Sequence, residues 1–522
     1  MKNFKIIILL TISIIFLFLS NQTFSQVQLD WVKRYSGIGS LSDGGFGICT
    51  DKSGNVYVTG SVQISSGYLC TTIKYDKFGD SMWVRKYERP GNTYNQGYDI
   101  KVDDSSSVYI AGSAFILKYN KYGILIWTKY ESASFYKIIL DSDGNIYAGG
   151  LEGGHFVVVK YDKYGNQLWI RNDQRSYSLS DMVLDKNGNV IITGESEYIS
   201  TSYDYKTIKY SNAGALLWVR SYNGLAPQPS YDLPYGLAVD NQCNVYVTGA
   251  SQDAISVFNN VTIKYDSLGN EIWIKRLYPP SNGHGIAVDE FQNVYVSSRS
   301  NGNNYTRKLD IDGNILWTKT YPTTSSFATN RRILILDSAN NVYVTANIDS
   351  NNYTRYGVIK YDSNGNQIFL ASYGFISVGV NYVIDMDIDK KGSVYLTGTS
   401  QGSGTGYDFA TVKYSEIPTG ILENNIQLNQ FKLEQNYPNP FNPSTTISFS
   451  LPEYGFVKLK IFDMLGKEIK TLVNEFKNAG NYFVDFNGSD LSSGVYYYKP
   501  VSYTHLTLPT IERCRSRWSP YH

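Results

Sequence analysis

Two motifs recur along most of the chain, and this repetition restricts the fold more than any other feature. The first has the consensus Asp-x-x-Gly-Asn-Val-Tyr-Val-Thr-Gly and occurs eight times, at intervals of about 48 residues. Each interval holds four short strand-like segments, which in the second repeat are residues 97–103, 107–112, 115–120 and 124–130. Repeats of roughly 40–50 residues with four strands each are typical of β-propeller blades. The copies begin at Asp51, Asp103, Asp141, Asp185, Asp240, Asp289, Asp337 and Asp389.

The second motif, Ile-Lys-Tyr-Asp-x-x-Gly-Asn-x-x-Trp, indicates how such a propeller closes. Its last copy, at Tyr414, lacks the Trp-bearing segment, whereas residues 29–35 match that segment and carry Trp31 ahead of the first copy. The N-terminal strand therefore supplies the piece that the last repeat lacks, and it leaves no edge strand unpaired. The sequence predicts an all-β fold in which residues 29–416 form a closed β-propeller of eight, or alternatively seven, four-stranded blades.

Spacing separates the scaffold from the region where a ligand is expected. Within each motif the distances are constant, but the Tyr of the second motif follows that of the first by 10 residues at Tyr109 and Tyr119 and by 19 in other repeats. In an up-and-down sheet the two constant turns lie on one side and the two variable connections on the other. Variable loops on a rigid scaffold usually carry function, so we expect any ligand on the variable-loop side.

The Asp-x-x-Gly-Asn element resembles a calcium-binding loop, most closely at residues 141–145 and 310–314. An EF-hand loop, however, has Gly at its sixth position and a bidentate Glu at its twelfth. Here Gly is fourth, no Glu follows in place, and the pattern recurs at both tight turns of nearly every repeat. We interpret it as a type I hairpin turn with Gly in the left-handed conformation and Asp accepting backbone N–H groups, and we predict no metal site.

Aromatic residues fall into two groups with different expected roles. The recurrent Trp and Tyr occupy fixed strand positions, where they are expected to fill the wedge between neighbouring sheets. Tyrosines on the variable connections need not pack in this way, although exposed Tyr is common in a chain with 46 of them. These candidate ligand-binding residues are Tyr94, Tyr198, Tyr203, Tyr231, Tyr305, Tyr353 and Tyr407.

The sequence offers little support for catalysis or for nucleic-acid binding. It has four His, and no nucleophile elbow, His-Glu-x-x-His helix, phosphate-binding loop or metal-spaced Cys/His cluster. A net charge of +1 without a basic block argues against a nucleic-acid partner. We therefore predict no catalytic residues and no cofactor, although the many Asp residues leave paired carboxylates open.

The N-terminus has the features of a secretory signal peptide. Lys2 and Lys5 precede an apolar run over residues 6–19, and small residues at Thr23 and Ser25 predict cleavage before Gln26. No later segment has the apolar length of a membrane-spanning helix. Residues 1–25 are thus predicted to be removed, which leaves an exported chain without a transmembrane segment.

The repeats resemble the SBBP family of bacterial β-propeller repeats. Residues 54–60 (Gly-Asn-Val-Tyr-Val-Thr-Gly) and 72–76 (Thr-Ile-Lys-Tyr-Asp) carry the match, which covers about residues 29–416. The resemblance implies a propeller in an extracellular or surface setting and no defined activity. Propellers of this family are often described as seven-bladed, which is why both blade counts are kept.

The C-terminal region resembles the type A sorting domain of the type IX secretion system. After a linker at residues 417–430, residues 431–500 carry the matching segments, including Asn-Ala-Gly-Asn-Tyr at 478–482 and Leu-Ser-Ser-Gly-Val-Tyr-Tyr-Tyr at 491–498. The resemblance implies a small Ig-like β-sandwich that the type IX machinery recognises. Residues 501–522 match neither module, and we interpret them as a non-native tail. The residues of the sorting motif are Tyr437, Pro438, Asn439, Pro440, Phe441, Asn442 and Pro443.

Three functions remain open at this point. The first is a binding or structural propeller with an unidentified extracellular ligand, either glycan or protein, which is exported through the periplasm to the cell surface or the medium. The second is a glycan-binding or adhesion protein, which should present flat, exposed Tyr pairs. The third is an extracellular hydrolase or lyase, which should bring carboxylates, His or Arg together around the central channel.

Overall fold

A computed structural model of the chain describes residues 27–515 with short gaps and divides them into two units, Met1–Ile417 and Pro418–His522. The described residues form strands and turns and contain no helix, so none of them forms an apolar helix of membrane-spanning length. The predicted signal peptide and nearly all of the predicted linker lie outside the described residues. The gaps are residues 38–41, 174–175, 199–201, 225–229, 301, 323–332, 351–352, 374–380, 403–405, 418–431, 434, 437–438, 440, 442, 452–454, 478–479 and 504–511.

The described part of the N-terminal unit consists of short strands joined by turns. The first sixteen are β1 Val27–Tyr35, β2 Gly44–Thr50, β3 Val56–Ile64, β4 Gly67–Tyr75, β5 Ser81–Tyr87, β6 Gly97–Val102, β7 Val108–Gly112, β8 Phe115–Tyr119, β9 Leu125–Tyr130, β10 Ser134–Leu140, β11 Ile146–Glu152, β12 His155–Tyr161, β13 Gln167–Asp173, β14 Ser178–Leu184, β15 Val190–Tyr198 and β16 Ser202–Tyr210. The next sixteen are β17 Leu216–Tyr222, β18 Ser230–Val239, β19 Val245–Gln252, β20 Phe258–Tyr265, β21 Glu271–Leu277, β22 Asn282–Val288, β23 Val294–Ser300, β24 Asn303–Leu309, β25 Ile315–Pro322, β26 Leu334–Leu336, β27 Val342–Ser350, β28 Tyr353–Tyr361, β29 Gln367–Tyr373, β30 Asn381–Ile388, β31 Val394–Gly402 and β32 Gly406–Glu416.

These strands pair in antiparallel sets of four that follow the sequence repeat. Strands β2–β5, β6–β9, β10–β13, β22–β25 and β26–β29 each form one sheet in chain order. Strands β14–β17 and β18–β21 form two further sets, joined where β16 pairs in parallel with β18. The last set, β30–β32, takes β1 as its fourth strand, with Val27 opposite Glu416. In the second repeat the predicted strands agree with β6–β9 to within one residue at each end.

The turn interpretation of the Asp motif is confirmed, and its contacts explain the constant spacing. Asp51 Oδ1 accepts the N–H groups of Ser53 and Asn55 at 2.9 and 3.0 Å, and Gly54 has a left-handed φ of 80°. Asp51 Oδ2 accepts the hydroxyl of Tyr57 at 2.8 Å, so the Tyr six residues later must keep its place. Burial alone would raise the pKa of Asp51, but these hydrogen bonds outweigh it and hold the pKa below its usual value.

The recurrent Trp joins most of the described sheets to the next one, although among the described residues the indole N–H of Trp127 has no hydrogen-bond partner and Phe369 replaces Trp in the β26–β29 sheet. Trp83 of β5 lies 6.2 Å from the ring of Tyr57 in its own sheet and 6.3 Å from that of Tyr119 in the next. Its indole N–H donates to the carbonyl of Lys121, in the turn between β8 and β9, at 3.2 Å. Because the donor, the ring and the turn all have fixed positions in the repeat, the same contact recurs. The equivalent pairs of Trp and turn residue are Trp31–Lys77, Trp169–Asn212, Trp218–Ser267, Trp273–Ile311 and Trp317–Ser363.

The Lys of the second motif reinforces this contact. The ammonium of Lys74 lies 5.0 Å from the centre of the Tyr57 ring and donates to the same Lys121 carbonyl at 3.3 Å. A cation held over an aromatic face and bonded to a neighbouring sheet stabilises both partners. The motif residues Asp, Tyr, Lys and Trp therefore form one connected set that spans two sheets.

The C-terminal unit is a pair of sheets around a shared core. Strands β33, β34 and β37 form one sheet, and β36, β35, β38 and β39 form the other. Of the sorting motif, Phe441 is buried in the core against Phe486, and Asn439 and Pro443 are also described, whereas the other four residues lie outside the described set. The seven strands are β33 Lys432–Leu433, β34 Ser444–Leu451, β35 Gly455–Phe462, β36 Glu468–Lys477, β37 Gly480–Asn487, β38 Val495–Tyr503 and β39 Glu512–Arg515.

The boundary drawn from the sequence at residue 500 falls inside a strand. Strand β38 continues to Tyr503, and β39 pairs with it, with Val495 opposite Arg515. Part of the segment that we interpret as a non-native tail is therefore paired with the sorting-domain sheet.

Candidate functional site

The first strand of nearly every set carries a β-bulge at the same place. In β2, for example, Gly45 and Gly47 pair with consecutive residues of β3, so Phe46 is left out of the pairing. A bulge redirects a side chain, and it often does so beside a functional site. The residues left out in this way are Phe46, Tyr98, Tyr136, Ser180, Tyr235, His284 and Ile384.

All seven bulge residues line a single cavity of about 210 Å³, which we call the first-strand cavity. Its wall combines aromatic rings with polar and charged side chains. On one side the ring of Tyr98 lies 6.5 Å from Phe46, nearly parallel to it, and 5.0 Å from Tyr136. On another side Tyr235 and His284 stack at 5.0 Å. The bulges lie towards the start of their strands, so the cavity is built near the variable-loop side of the unit.

Carboxylates also reach this cavity, one residue after the bulge, and each holds two sheets together. Asp385 Oδ2 accepts the N–H of Ile48 at 2.8 Å, so it links β30 to β2. Asp99 and Asp181 accept the N–H groups of Ile138 and Leu237 in the same manner, at 2.9 and 3.1 Å. Each of these three carboxylates therefore links one sheet to the next through a backbone N–H group.

The three carboxylates differ in their ammonium partners. Lys101 donates to Asp99 at 3.3 Å, and Lys137 lies 3.0 Å from Asp181. In the described part of the chain no ammonium forms an ion pair with Asp385. Burial raises the pKa of Asp385 to about 6, against the opposing effect of nearby Lys101.

A second cavity of about 300 Å³ opens beside the first, and the two share Phe46. It lies between the first strand of the β2–β5 sheet and the set that contains β1, on the variable-loop side. Tyr407, one of the sequence candidates, lines it together with Tyr68 and Tyr382. Tyr94, another candidate, packs edge-on against Tyr68 at 5.1 Å.

Two further candidates meet where β16 pairs with β18. Tyr203 and Tyr231 are direct partners in that pairing, and their rings lie 5.7 Å apart at an angle of 31°. Tyr177, just before β14, extends the series, with its ring 4.9 Å from that of Tyr203. Tyr177 is 54% exposed and Tyr231 is 43% exposed. We call these three residues the tyrosine row.

The remaining sequence candidates do not join either group. Tyr305 lies in β24, where the guanidinium of Arg307 covers its ring at 4.8 Å. The side chains of Tyr198 and Tyr353 lie outside the described set.

Sequence reasoning missed Tyr177 and all of the first-strand cavity. A signal for the cavity was present, since every bulge residue stands five positions before a turn Asp, as Phe46 does before Asp51. That position is Phe, Tyr, Tyr, Ser, Tyr, His and Ile in the seven strands, so no residue type recurs strictly. A search for repeated identity passes over such a position.

Comparison with known proteins confirms both resemblances. Residues 435–507 match the family described as a secretion system C-terminal sorting domain, and residues 280–306 match the family described as a beta-propeller repeat. The chain therefore contains a β-propeller repeat and a type IX sorting domain. The sorting-domain match runs beyond residue 500, in agreement with the extent of β38.

Solved structures share the fold of the N-terminal unit at low identity. The crystal structure of Sqt1 from Chaetomium thermophilum covers 76% of this chain and 100% of its own, with 10% identity and a TM-score of 0.51. The structure of Sqt1 bound to the N-terminus of the ribosomal protein L10 covers 75% of this chain and 100% of its own, with 10% identity and a TM-score of 0.50. Such a likeness shows the fold alone. No curated protein matches the sequence.

The substitution Asp385→Asn is predicted to change how stability depends on pH. The folded chain holds a proton on Asp385 up to about pH 6, where the unfolded chain has released it, so raising the pH through 6 removes stability. Asn keeps an acceptor for the Ile48 N–H but does not titrate. As the pH rises from about 4 to about 7, the free energy of unfolding of the variant should therefore increase relative to that of the native chain by on the order of 1–3 kcal/mol.

Urea unfolding of both chains at several pH values measures this difference. A stability difference that stays constant from pH 4 to pH 7 would show that Asp385 does not titrate in this range.

Proposed function

We propose that the chain is exported through the periplasm and delivered by the type IX machinery to the outer cell surface or the medium. The match of residues 435–507 to a sorting domain supports this route. The signal-peptide features of residues 1–25 account for the first step, export across the inner membrane. On this proposal the propeller works outside the cell.

We also propose that the four-stranded sets form an eight-bladed propeller closed by β1. Trp31 of β1 makes the contact with Lys77 that five other repeat Trp residues make with the next sheet. Asp385 bridges the same pair of sheets from the inner side, through the N–H of Ile48. A closed ring keeps the first strands rigid, which fixes the ligand sites on the variable-loop side.

The tyrosine row is the observation that carries the proposed function, which is glycan binding. A sugar ring offers one apolar C–H face and a rim of hydroxyl groups. A row of Tyr rings matches this, because each ring is flat and apolar and ends in a polar hydroxyl. The rings of Tyr203 and Tyr231 are within 31° of parallel, so adjacent sugar units can lie along them.

The backbone holds this row in position. Tyr203 and Tyr231 are fixed by strand pairing between β16 and β18. The N–H of Tyr231 also donates to Gln252 at 3.0 Å, and that of Tyr177 donates to the Glu195 carbonyl at 2.8 Å. Rings held on strands lose little conformational freedom on binding, which favours affinity.

We propose no catalytic role for the carboxylates of the first-strand cavity. Asp99, Asp181 and Asp385 do come together, as the enzyme alternative required, but each has an oxygen bonded to the backbone of the next sheet. A general acid or base needs an oxygen that can reach a substrate proton. The geometry supports a structural role for these groups.

The glycan proposal predicts loss of binding when the row is truncated. The native chain should bind at least one polysaccharide on an array of glycans and extracellular polymers. Tyr203→Ala and Tyr231→Ala should each weaken that binding by about 5–10-fold, because each removes one stacking face. Isothermal titration with the captured polysaccharide gives the dissociation constants.

The matched control is Tyr164→Ala, which removes a 71% exposed Tyr from a constant turn on the opposite side. It should bind as the native chain does. Equal affinity of the native chain and both row variants, or no binding to any polysaccharide by a folded chain, would refute glycan binding at this row.

The export proposal is tested by deleting residues 435–507 in a host that has the type IX system. The native chain should appear on the cell surface or in the medium, and the deletion variant should stay in the periplasm. Cell fractionation with immunoblotting measures the distribution, and protease resistance checks that the variant is folded. Export of the deletion variant at the native level would contradict the proposal.

A further inference from the structure

The first-strand cavity is a second site, distinct from the tyrosine row, with a different chemistry. We propose that it binds a small organic cation, a primary or quaternary ammonium group, with aromatic rings around the cation and Asp385 as its counter-ion. The proposal does not depend on glycan binding. It rests on the wall, the charge balance and the size of the cavity.

Aromatic rings from several sheets stand among the polar groups of the wall. Phe46, Tyr98 and Tyr136 lie in series along one side, and Tyr235 and His284 stack on another. The first four of these residues are half-buried. A cation near the face of such rings is attracted by their quadrupoles, and several rings around one cavity are the usual way to bind an ammonium group.

The charges leave one carboxylate for the ligand. The ionisable acids and bases that line the cavity include three carboxylates and two ammonium groups, and the two ammonium groups pair with Asp99 and Asp181. Asp385 accepts the backbone N–H groups of Ile48 and Met386 but forms no ion pair within the described residues. Burial raises the pKa of Asp385 to about 6 and so favours its protonated form. A bound cation would favour the charged carboxylate and lower this pKa.

Lys101 does not take the place of that ligand. Burial acts to lower its pKa, but the charges of Asp99 and Asp385 outweigh burial and raise it. The Lys101 ammonium is thus charged, and it donates to Asp99 and to the Ile100 carbonyl. Asp385 also lines the cavity, and among the described residues its carboxylate forms no ion pair with Lys101.

Size and rigidity restrict the ligand further. A volume of about 210 Å³ is below the usual range for drug-sized ligands, so the ligand has few heavy atoms. The wall residues stand on bulged strands, and the carboxylates tie those strands to one another. A rigid cavity of this size suits a compact cation better than a flexible chain.

The test uses choline and its uncharged carbon isostere, 3,3-dimethylbutan-1-ol, with the full chain. Isothermal titration should show that choline binds and that the isostere binds at least about tenfold more weakly, because the two differ only in charge. Asp385→Asn should weaken choline binding by about tenfold or more. Tyr98→Leu, which keeps an apolar side chain but removes the ring face, should also weaken it.

Two controls separate this site from general effects. Asp104→Asn makes the same charge change at an exposed turn residue and should bind choline as the native chain does. Tyr203→Ala should also retain choline binding, and Asp385→Asn should retain polysaccharide binding, so failure at one site is distinguishable from failure at the other.

Equal binding of choline and the isostere, no binding of choline at millimolar concentration, or unchanged affinity in both Asp385→Asn and Tyr98→Leu would each overturn the proposal. Urea unfolding of each variant confirms that it is folded. Because Asn keeps an acceptor for the Ile48 N–H and Tyr98→Leu leaves Asp385 intact, loss of structure in one variant leaves the other to decide.

Discussion

Most junctions between neighbouring sheets of the N-terminal unit depend on one contact, the indole N–H of a Trp bonded to a turn carbonyl of the next sheet. In the β2–β5 sheet, Trp83 makes this contact with Lys121 while its ring packs between Tyr57 and Tyr119. The Lys121 carbonyl is held in position because Asn120, which stands where other turns have Asp, closes the turn. Tyr57 is held by Asp51 in the turn of its own sheet. Each pair of neighbouring sheets thus offsets its own loss of conformational entropy by the apolar surface that the pair buries.

The same arrangement explains why we place the proposed function on the opposite side. The constant turns are used in contacts between sheets, so changes there disturb the scaffold. On the variable-loop side the first strands bulge and direct Phe46, Tyr98 and Tyr136 into a cavity, and two sheets bring Tyr203 and Tyr231 side by side. A fixed wedge of Trp and Tyr on one side therefore allows variation on the other.

Much of this fold can be predicted from the sequence because the same motif occurs in eight repeats. The Asp turns and the four strands of the second repeat are confirmed, since local hydrogen bonds and alternation determine them. The sites were less accessible. Tyr203 and Tyr231 were identified as candidates, but their pairing depends on a parallel contact between two sheets that no local pattern encodes. The cavity residue Tyr98 was missed because its position tolerates several residue types, and what matters there is the bulge rather than the identity.

The measurement that tests this account most directly is a comparison of Trp31→Ala with Trp83→Ala by urea unfolding. In a closed ring the two Trp residues make equivalent contacts and are 9% and 8% exposed respectively, so both variants should lose about 3–5 kcal/mol. Met82→Ala, which truncates a 56% exposed neighbour, should lose less than about 0.5 kcal/mol. A loss for Trp31→Ala below about half of that for Trp83→Ala would mean that β1 does not join the last sheet to the first, and the closed ring would be wrong.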